Sequence, residues 1–531
     1  TGDVTGTSES AIRVIKDYGG ARRGDIAISA GNTSGGTSGI EAFQQGEGAL
    51  SITSTGTANG ASVHGINANS YGNGVTITSQ EAVGANSGIR LAAFGATGAD
   101  SVTSHTATGG QSGIVAGSAS RDGLTVTTTG ATTGGSGTGL VASNSRGDVV
   151  INAQGAVSGG YDGIFGSSND GSGTLTITAS APVTGTARHG IAAYAQRNAA
   201  ARIEITAGDV SGGESAIFAY ADPVNGIAIT LTGTAQGGSE AAIDTITSAG
   251  ALSTITITDT AGVLAGASGI AIRNDAGDSL VNLAGRLDGD VRLGEGSDEL
   301  NIASTAVLAP GLVLDGGDTA SATDGMIDNL SFNGWNGSLT GSNLVNWEAI
   351  SLNSGTVLRL TGGTLIAGDA GNLATGLFVN SGATLDLGGV GLALTGNLFN
   401  NGTITLANGT AGDVLAITGA YVGTGNGVIE LDTNFFTNVS DRITVGGAVS
   451  GGITTLGITD VSTGTASGSA VMVAEVQGVS PAGLFMLGRG PITVDGQTYS
   501  LEQQGGNWVL TAICTAPGGC GSVTPPPPPP P

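Results

Sequence analysis

Basic charge is scarce in this chain: 16 Lys and Arg stand against 41 Asp and Glu, for a formal net charge of −25, and Lys16 is the sole lysine. Such a surface repels phosphate backbones and anionic headgroups, which argues against nucleic acid or an anionic membrane as partner. Aromatic residues make up 4 % of the chain, so large aromatic-centred cores are not expected. No run of about 18 apolar residues occurs, so nothing here spans a bilayer as a helix. His64, His105 and His189 are the only histidines and Cys514 and Cys520 the only cysteines, with no zinc-type Cys/His spacing among them. No Gly-x-Ser-x-Gly elbow exists for a nucleophilic serine. The 98 glycines follow no Gly-X-Y period, which excludes a collagen-like chain. No signal peptide stands at Thr1, and the chain reads as a processed or truncated product.

What the chain has instead is a repeat. A small or polar residue, then Gly or Ala, then Ile or Leu recurs at Ile12, Ile40, Ile66, Ile89, Ile114, Leu140, Ile164, Ile191, Ile217, Ile243 and Ile270. The successive spacings are 28, 26, 23, 25, 26, 24, 27, 26, 26 and 27 residues. Between these landmarks lie alternating runs such as Val75-Thr76-Ile77-Thr78 and Leu175-Thr176-Ile177-Thr178. Period-2 alternation buries one face and wets the other, which is the pattern of a strand, and β-branched threonine suits the wet side. Each period therefore holds at least two short strands separated by Gly, Asn, Asp and Ser turns. Stacking the periods sets each strand beside its own copy about 4.8 Å away. The expected fold is all-β, a parallel β-helix with about 26-residue coils and a thin aliphatic core. A β-propeller needs blades of about 40 residues and is disfavoured by the shorter period.

Four segments follow. Residues 1–290 carry the regular 23–28-residue coils, and residues 291–411 continue the β-helix with irregular ones. Residues 412–513 contain Tyr421, Ile429-Glu430-Leu431, Ser440-Asp441-Arg442-Ile443, Gly483-Leu484-Phe485-Met486 and Gly506-Asn507-Trp508-Val509 in that order. This order resembles the C-terminal, autochaperone region of pertactin-like autotransporter passengers, whose type V secretion uses a C-terminal outer-membrane barrel. The resemblance implies a right-handed parallel β-helix, displayed outside a Gram-negative cell at the outer-membrane surface. Residues 514–531 hold the two cysteines and an unbroken run from Pro525 to Pro531. Seven prolines form an extended polyproline II spacer, which in the resemblance leads toward a barrel missing from this chain. Cys514 and Cys520 allow one small-loop disulfide in an oxidising compartment, or a pair of free thiols.

Candidate sites are few. Gly294-Glu295-Gly296-Ser297-Asp298-Glu299-Leu300, with Asp315-Gly316-Gly317-Asp318, fits part of a Ca²⁺-binding glycine-rich repeat, making Asp298, Asp315 and Asp318 candidate calcium ligands. The competing reading is an acidic turn. Arg23-Gly24-Asp25 and Arg146-Gly147-Asp148 are two copies of an integrin-recognition tripeptide, and both sit just before a strand, where Gly-Asp is also an ordinary turn. A polysaccharide-cleaving β-helix needs paired carboxylates or clustered basic residues. Basic residues here are single apart from Arg22-Arg23. His64 and His189 precede the repeat glycine at equivalent positions, as flanking residues of the coil. The Gly-Asp-Ser-Gly motif of protease passengers is absent, as are the helices of lipase-like ones.

The reading that follows is a non-enzymatic, surface-displayed passenger acting as an adhesin or self-associating rod, needing no cofactor. Its partners would be a host-cell, matrix or glycan receptor, or itself on neighbouring cells. The alternatives are an extracellular carbohydrate-active β-helix enzyme and a structural matrix or filament repeat protein.

Overall fold

A computed structural model describes residues 3–16, 24–169, 173–196, 202–222, 226–389 and 391–513. The chain divides into two compact units, residues 1–318 and 319–531. The run from Pro525 to Pro531 and both cysteines, Cys514 and Cys520, lie outside the described residues, as does Arg23.

The first unit is a parallel β-solenoid: among its described residues every strand pairing is parallel, each strand lying on the corresponding strand one coil later. One sheet collects the threonine-rich runs, in the register Leu50 on Val75, Leu124 on Val149 and Val149 on Leu175. A second sheet collects the Gly-Ile landmarks. Ile12 lies on Ile40, Ile40 on Ile66, Ile66 on Ile89 and Ile89 on Ile114. The ladder continues through Leu140, Ile164, Ile191, Ile217 and Ile243. From Ile40 to Ile243 these side chains are fully buried. The last landmark departs from the expected register, because Ile243 lies on Ile272 and not on Ile270. The following step, onto Asp290–Arg292, carries a bulge between Ile270 and Ile272 that absorbs the difference.

The repeat glycine is there for space. A Cβ built on Gly88 would stand 2.8 Å from the carbonyls of Ala82 and Gly113, and one on Gly65 2.6 Å from the carbonyl of Ala58. At Gly65 and Gly88 the backbones of neighbouring coils leave no room for a side chain, whereas the later coils at Ile217 and Ile243 take the small Ala216 and Ala242 at the same corner. The left-handed backbone belongs to other glycines, such as Gly250 at φ +80°, where the surroundings are open.

In the second unit the strands stack in three parallel ladders. Leu330, Ile350, Leu377, Leu398 and Tyr421 stack in one. Val357, Thr384, Thr403 and Val428 stack in another. Leu365, Leu394, Ile417 and Val445 run through the third. Asparagine amides add a polar ladder: Asn353 donates to Asn333 at 2.8 Å and accepts from Asn380 at 2.9 Å. Two features differ from the sequence expectation. First, the core is aromatic at its end: Phe435 lies on Tyr499 with centroids 4.5 Å apart, and Phe485 meets Trp508 edge-on at 5.4 Å. A 4 % aromatic content says nothing of clustering, and the scarce rings gather here. Second, the solenoid closes with antiparallel pairing, Gln497–Gln504 on Asn507–Ile513 and the latter on Val471–Val476. A hairpin folded over the last coil covers an edge that a further parallel coil would leave open. Trp508, quoted above for the resemblance, anchors it by donating from Nε1 to Ser480 Oγ at 3.0 Å.

Two substitutions separate side-chain packing from backbone approach. Ile114→Ala is expected to destabilise the first unit by about 2–5 kcal/mol, as a buried large-to-small change. Gly88→Val is expected to be at least as damaging, since the new Cβ meets backbone on two sides, while Gly250→Ala costs about 1 kcal/mol. Urea unfolding of the three variants checks the order; a mild Gly88→Val would overturn the close-approach account.

Candidate functional site

The two sheets of the first unit present unlike outer faces. On the threonine-rich sheet, Thr53, Thr78, Thr103 and Thr127 form one outward row and Ser51, Thr76, Ser101 and Thr125 the next. Following both rows from Ala27 to Thr256, Glu204 is the one charged residue among those described. In a chain of net charge −25, that exclusion of charge marks the face.

The outer face of the landmark sheet and the turns that lead into its strands carry the ionic and aromatic chemistry. Arg188 lies 5.1 Å over the ring of Tyr161, donates toward the Tyr161 hydroxyl at 3.3 Å and pairs with Glu214 at 3.5 Å and Asp162 at 4.0 Å. Asp162 is buried, and burial raises its pKa. Its Oδ1 accepts the backbone N–H of His189 at 3.1 Å. The His189 ring stacks on Phe218 at 4.8 Å, and burial, then the charge of Arg188, lower its pKa to about 4. Phe165, Tyr194 and Phe218 continue an aromatic column with centroid spacings of 5.3 and 5.6 Å. Further along, Arg273 grips buried Asp244 with both forks, at 2.9 and 2.7 Å, and reaches Glu240 at 3.1 Å. At the other end Arg13 pairs with Glu41 at 3.3 Å, and Arg90 is held by the side-chain carbonyls of Asn67 at 3.1 Å and Asn69 at 2.8 Å. None of these groups stood out in the sequence. The signal was there in principle, since each outward residue has its neighbour one coil later, but an uneven coil length hides the match.

The residues singled out in the sequence fall elsewhere. Asp25 and Asp148 end their turns as acceptors for the next coil: Asp25 Oδ1 takes the N–H of Ala49 at 2.9 Å, and Asp148 Oδ1 that of Thr174 at 2.7 Å. Asp209 does the same for Thr234 at 2.8 Å with no Arg-Gly before it. Gly147 is buried against the carbonyls of Ser120 and Arg121, while Arg146 is exposed. Gly24 accepts from Gln44 at 2.8 Å. Asp25 and Asp148 thus act as coil-to-coil acceptors.

Asp298 is buried and accepts the N–H of Ser279 at 2.6 Å. Burial, reinforced by the charges of Asp278 and Asp318, pushes its pKa up to about 8. Asp315 closes its own turn on the N–H of Gly317 at 3.2 Å. Among the described residues no group of three or more His, Cys, Asp and Glu side chains is placed to hold a metal. The three histidines are apart; His105 Nδ1 meets Thr129 Oγ1 at 3.2 Å, and His64 is half-buried beside Arg90. A cleft of about 570 Å³ in the second unit is lined by Glu430, Leu456, Ile458, Arg489 and Pro491, with Glu430 its single carboxylate, one short of a glycosidase pair.

Because the folded pKa of Asp298 lies above its unfolded value, the folded state holds a proton that the unfolded chain releases from about pH 4 upward. Stability from this group is therefore present at acid pH and lost as the pH rises toward about 8. Asp298→Asn is expected to raise the unfolding midpoint strongly at pH 8.5, less at pH 5 and hardly at all below about pH 4; an effect independent of pH would contradict the assignment.

No protein-family model matches the chain. Among curated proteins it is similar to the probable autotransporter YfaL of Escherichia coli (strain K12), 26 % identical over 268 residues, which take in 46 % of this chain and 20 % of that protein. The chain thus spans about a fifth of that relative's length. Among solved structures, the crystal structure of the Haemophilus influenzae Hap adhesin aligns with 91 % of this chain and 64 % of its own, at 12 % identity and a TM-score of 0.31. The chain is homologous to an autotransporter, and its parallel β-solenoid fits the passenger part of a pertactin-like one.

Proposed function

We propose that this chain is a passenger displayed at the outer-membrane surface of a Gram-negative bacterium, working as a non-enzymatic adhesin. The observation that carries the reading is the layout of the first unit's outer faces. Functional groups are spread along successive coils of one sheet, and no described cleft collects a catalytic set. The buried carboxylates Asp162 and Asp244 are closed by Arg188 and Arg273, which suits a long binding surface better than a turnover site. A C-terminal outer-membrane barrel in the full-length protein, reached through the proline run, belongs to the same proposal.

The threonine face favours a second mode, self-association. A flat face of hydroxyls and methyls that carries Glu204 as its one described charge is the part of this acidic molecule that a second copy can approach with least repulsion.

Beads coated with the purified chain are expected to attach to host cells or matrix, and polysaccharide substrates incubated with it to show no new reducing ends. Product release would replace this reading with the carbohydrate-active enzyme. Light scattering at rising concentration tests self-association: Thr103→Glu is expected to move its onset to a several-fold higher concentration. Association insensitive to that change would remove the threonine face from the mechanism.

A further inference from the structure

The passenger reading leaves the ligand unspecified, and Arg90 narrows it. In the first unit Arg13, Arg188, Arg202, Arg273, Arg286 and Arg292 are each paired with a carboxylate. Arg90 is positioned differently. Its Nη1 donates to Asn67 Oδ1 at 3.1 Å and to Asn69 Oδ1 at 2.8 Å, and Asn69 Nδ2 also donates to Asn67 Oδ1 at 3.2 Å. Neutral amide carbonyls fix where the guanidinium points without cancelling its charge. The nearby carboxylate, Glu41, is already engaged by Arg13 at 3.3 Å and by Ser10 Oγ at 2.9 Å. The Arg90 fork is therefore oriented, charged and half-buried on the outer face of the sheet.

The ground beside it is open. Ala92 lies next along the strand, and the register places Gly117 beside Ala92 and Ser143 beside Gly117. A Cβ on Gly117 would meet nothing nearer than 3.7 Å, so this glycine leaves room above the sheet. Beyond this floor stands an aromatic wall. Tyr71 and Phe94 stack at 4.8 Å while remaining 49 % and 53 % exposed, and Phe43 meets Tyr71 edge-on at 6.2 Å. Phe94 follows Arg90 by four residues, which in extended chain is about 13 Å.

We propose that this face is a binding subsite for a carboxylate-bearing saccharide. The Arg90 fork takes the sugar carboxylate, a planar anion that guanidinium matches with two parallel N–H donors. The small floor admits the pyranose rings, and the exposed aromatics cover the apolar face of a neighbouring sugar. The proposal deepens the adhesin reading and rests on it. It also accommodates the acidity of the chain. Repulsion from the rest of the molecule is screened within about 8 Å at physiological ionic strength, so one carboxylate per few sugars is tolerated whereas a densely sulfated chain is not. Uronate- and sialate-type sugars share the required chemistry.

Calorimetry on the whole chain tests it with a uronate-containing oligosaccharide, a sialylated lactose, plain lactose and heparin. Binding to at least one of the first two is expected, with lactose and heparin weaker by about tenfold or more; the responding arm identifies the sugar. Arg90→Ala is expected to lower that affinity at least about tenfold. Gly117→Glu, whose Cβ the backbone accommodates, is expected to do the same by filling and charging the floor, with the melting midpoint unchanged. Equal binding of lactose, or full affinity in both variants, overturns the site. Cell attachment by a chain that binds neither acidic sugar overturns the site and leaves the adhesin reading standing; absence of all attachment overturns the adhesin reading itself.

Discussion

Within the first unit everything depends on the backbone contact between one coil and the next. Parallel strands pair in register over their own copies, so each coil supplies the hydrogen bonds that its neighbour's N–H and C=O groups require. That contact sets the demands on the sequence. The corner where Gly65, Gly88 and Gly113 follow one another is closed to side chains by the neighbouring backbone, and where later coils depart from glycine they use only alanine, Ala216 and Ala242. The residue just after it must be aliphatic and inward, which gives the buried ladder from Ile40 to Ile243. Aspartates at the turns are recruited to the same end. Asp25, Asp148 and Asp209 each accept a backbone N–H from the next coil, so acidity contributes to stacking as well as to solubility.

A solenoid sorts chemistry by face, since strand alternation repeated coil after coil turns each outward position into a row. One sheet's rows became threonine, serine and asparagine, almost free of charge. The other's became arginine, carboxylate and aromatic residues in discrete groups, around Arg90, Arg188 and Arg273. The groups differ in what they leave available. Arg188 and Arg273 are closed by carboxylates that would otherwise be buried and uncompensated, a structural duty. Arg90 is held by amides, which leaves its charge to an outside partner.

Charge and residue types are visible in the chain, but their grouping is not. Ser-Gly-Ile was legible as a repeat, and so was the strand character of the Thr-x-Thr runs, since period-2 alternation survives any change of loop length. The Arg90 group was illegible: Asn67 and Arg90 are 23 residues apart, and only a register fixed by backbone hydrogen bonds makes them neighbours. The tripeptides Arg23-Gly24-Asp25 and Arg146-Gly147-Asp148 show the reverse problem. A motif read in isolation suggests recognition, while the described aspartates act as coil acceptors. Asp298 drew notice for an acidic glycine-rich turn, and its distinguishing property, burial that keeps it protonated toward pH 8, comes from the packing around it.

The sequence by itself determined the fold class, the period of about 26 residues, the aliphatic core of the first unit and the excess of acidic charge. These are local or statistical properties: alternation, spacing and net charge need no knowledge of which coil touches which. Tertiary structure decided the slip from Ile270 to Ile272, the antiparallel closure over Phe485 and Trp508, and the company kept by each outward side chain. All three follow from contacts between residues a full coil apart, where one residue more or less in a turn changes the neighbour without changing the pattern. Ser38-Gly39-Ile40 belongs to the first group, and Arg90 with Asn67 and Asn69 to the second.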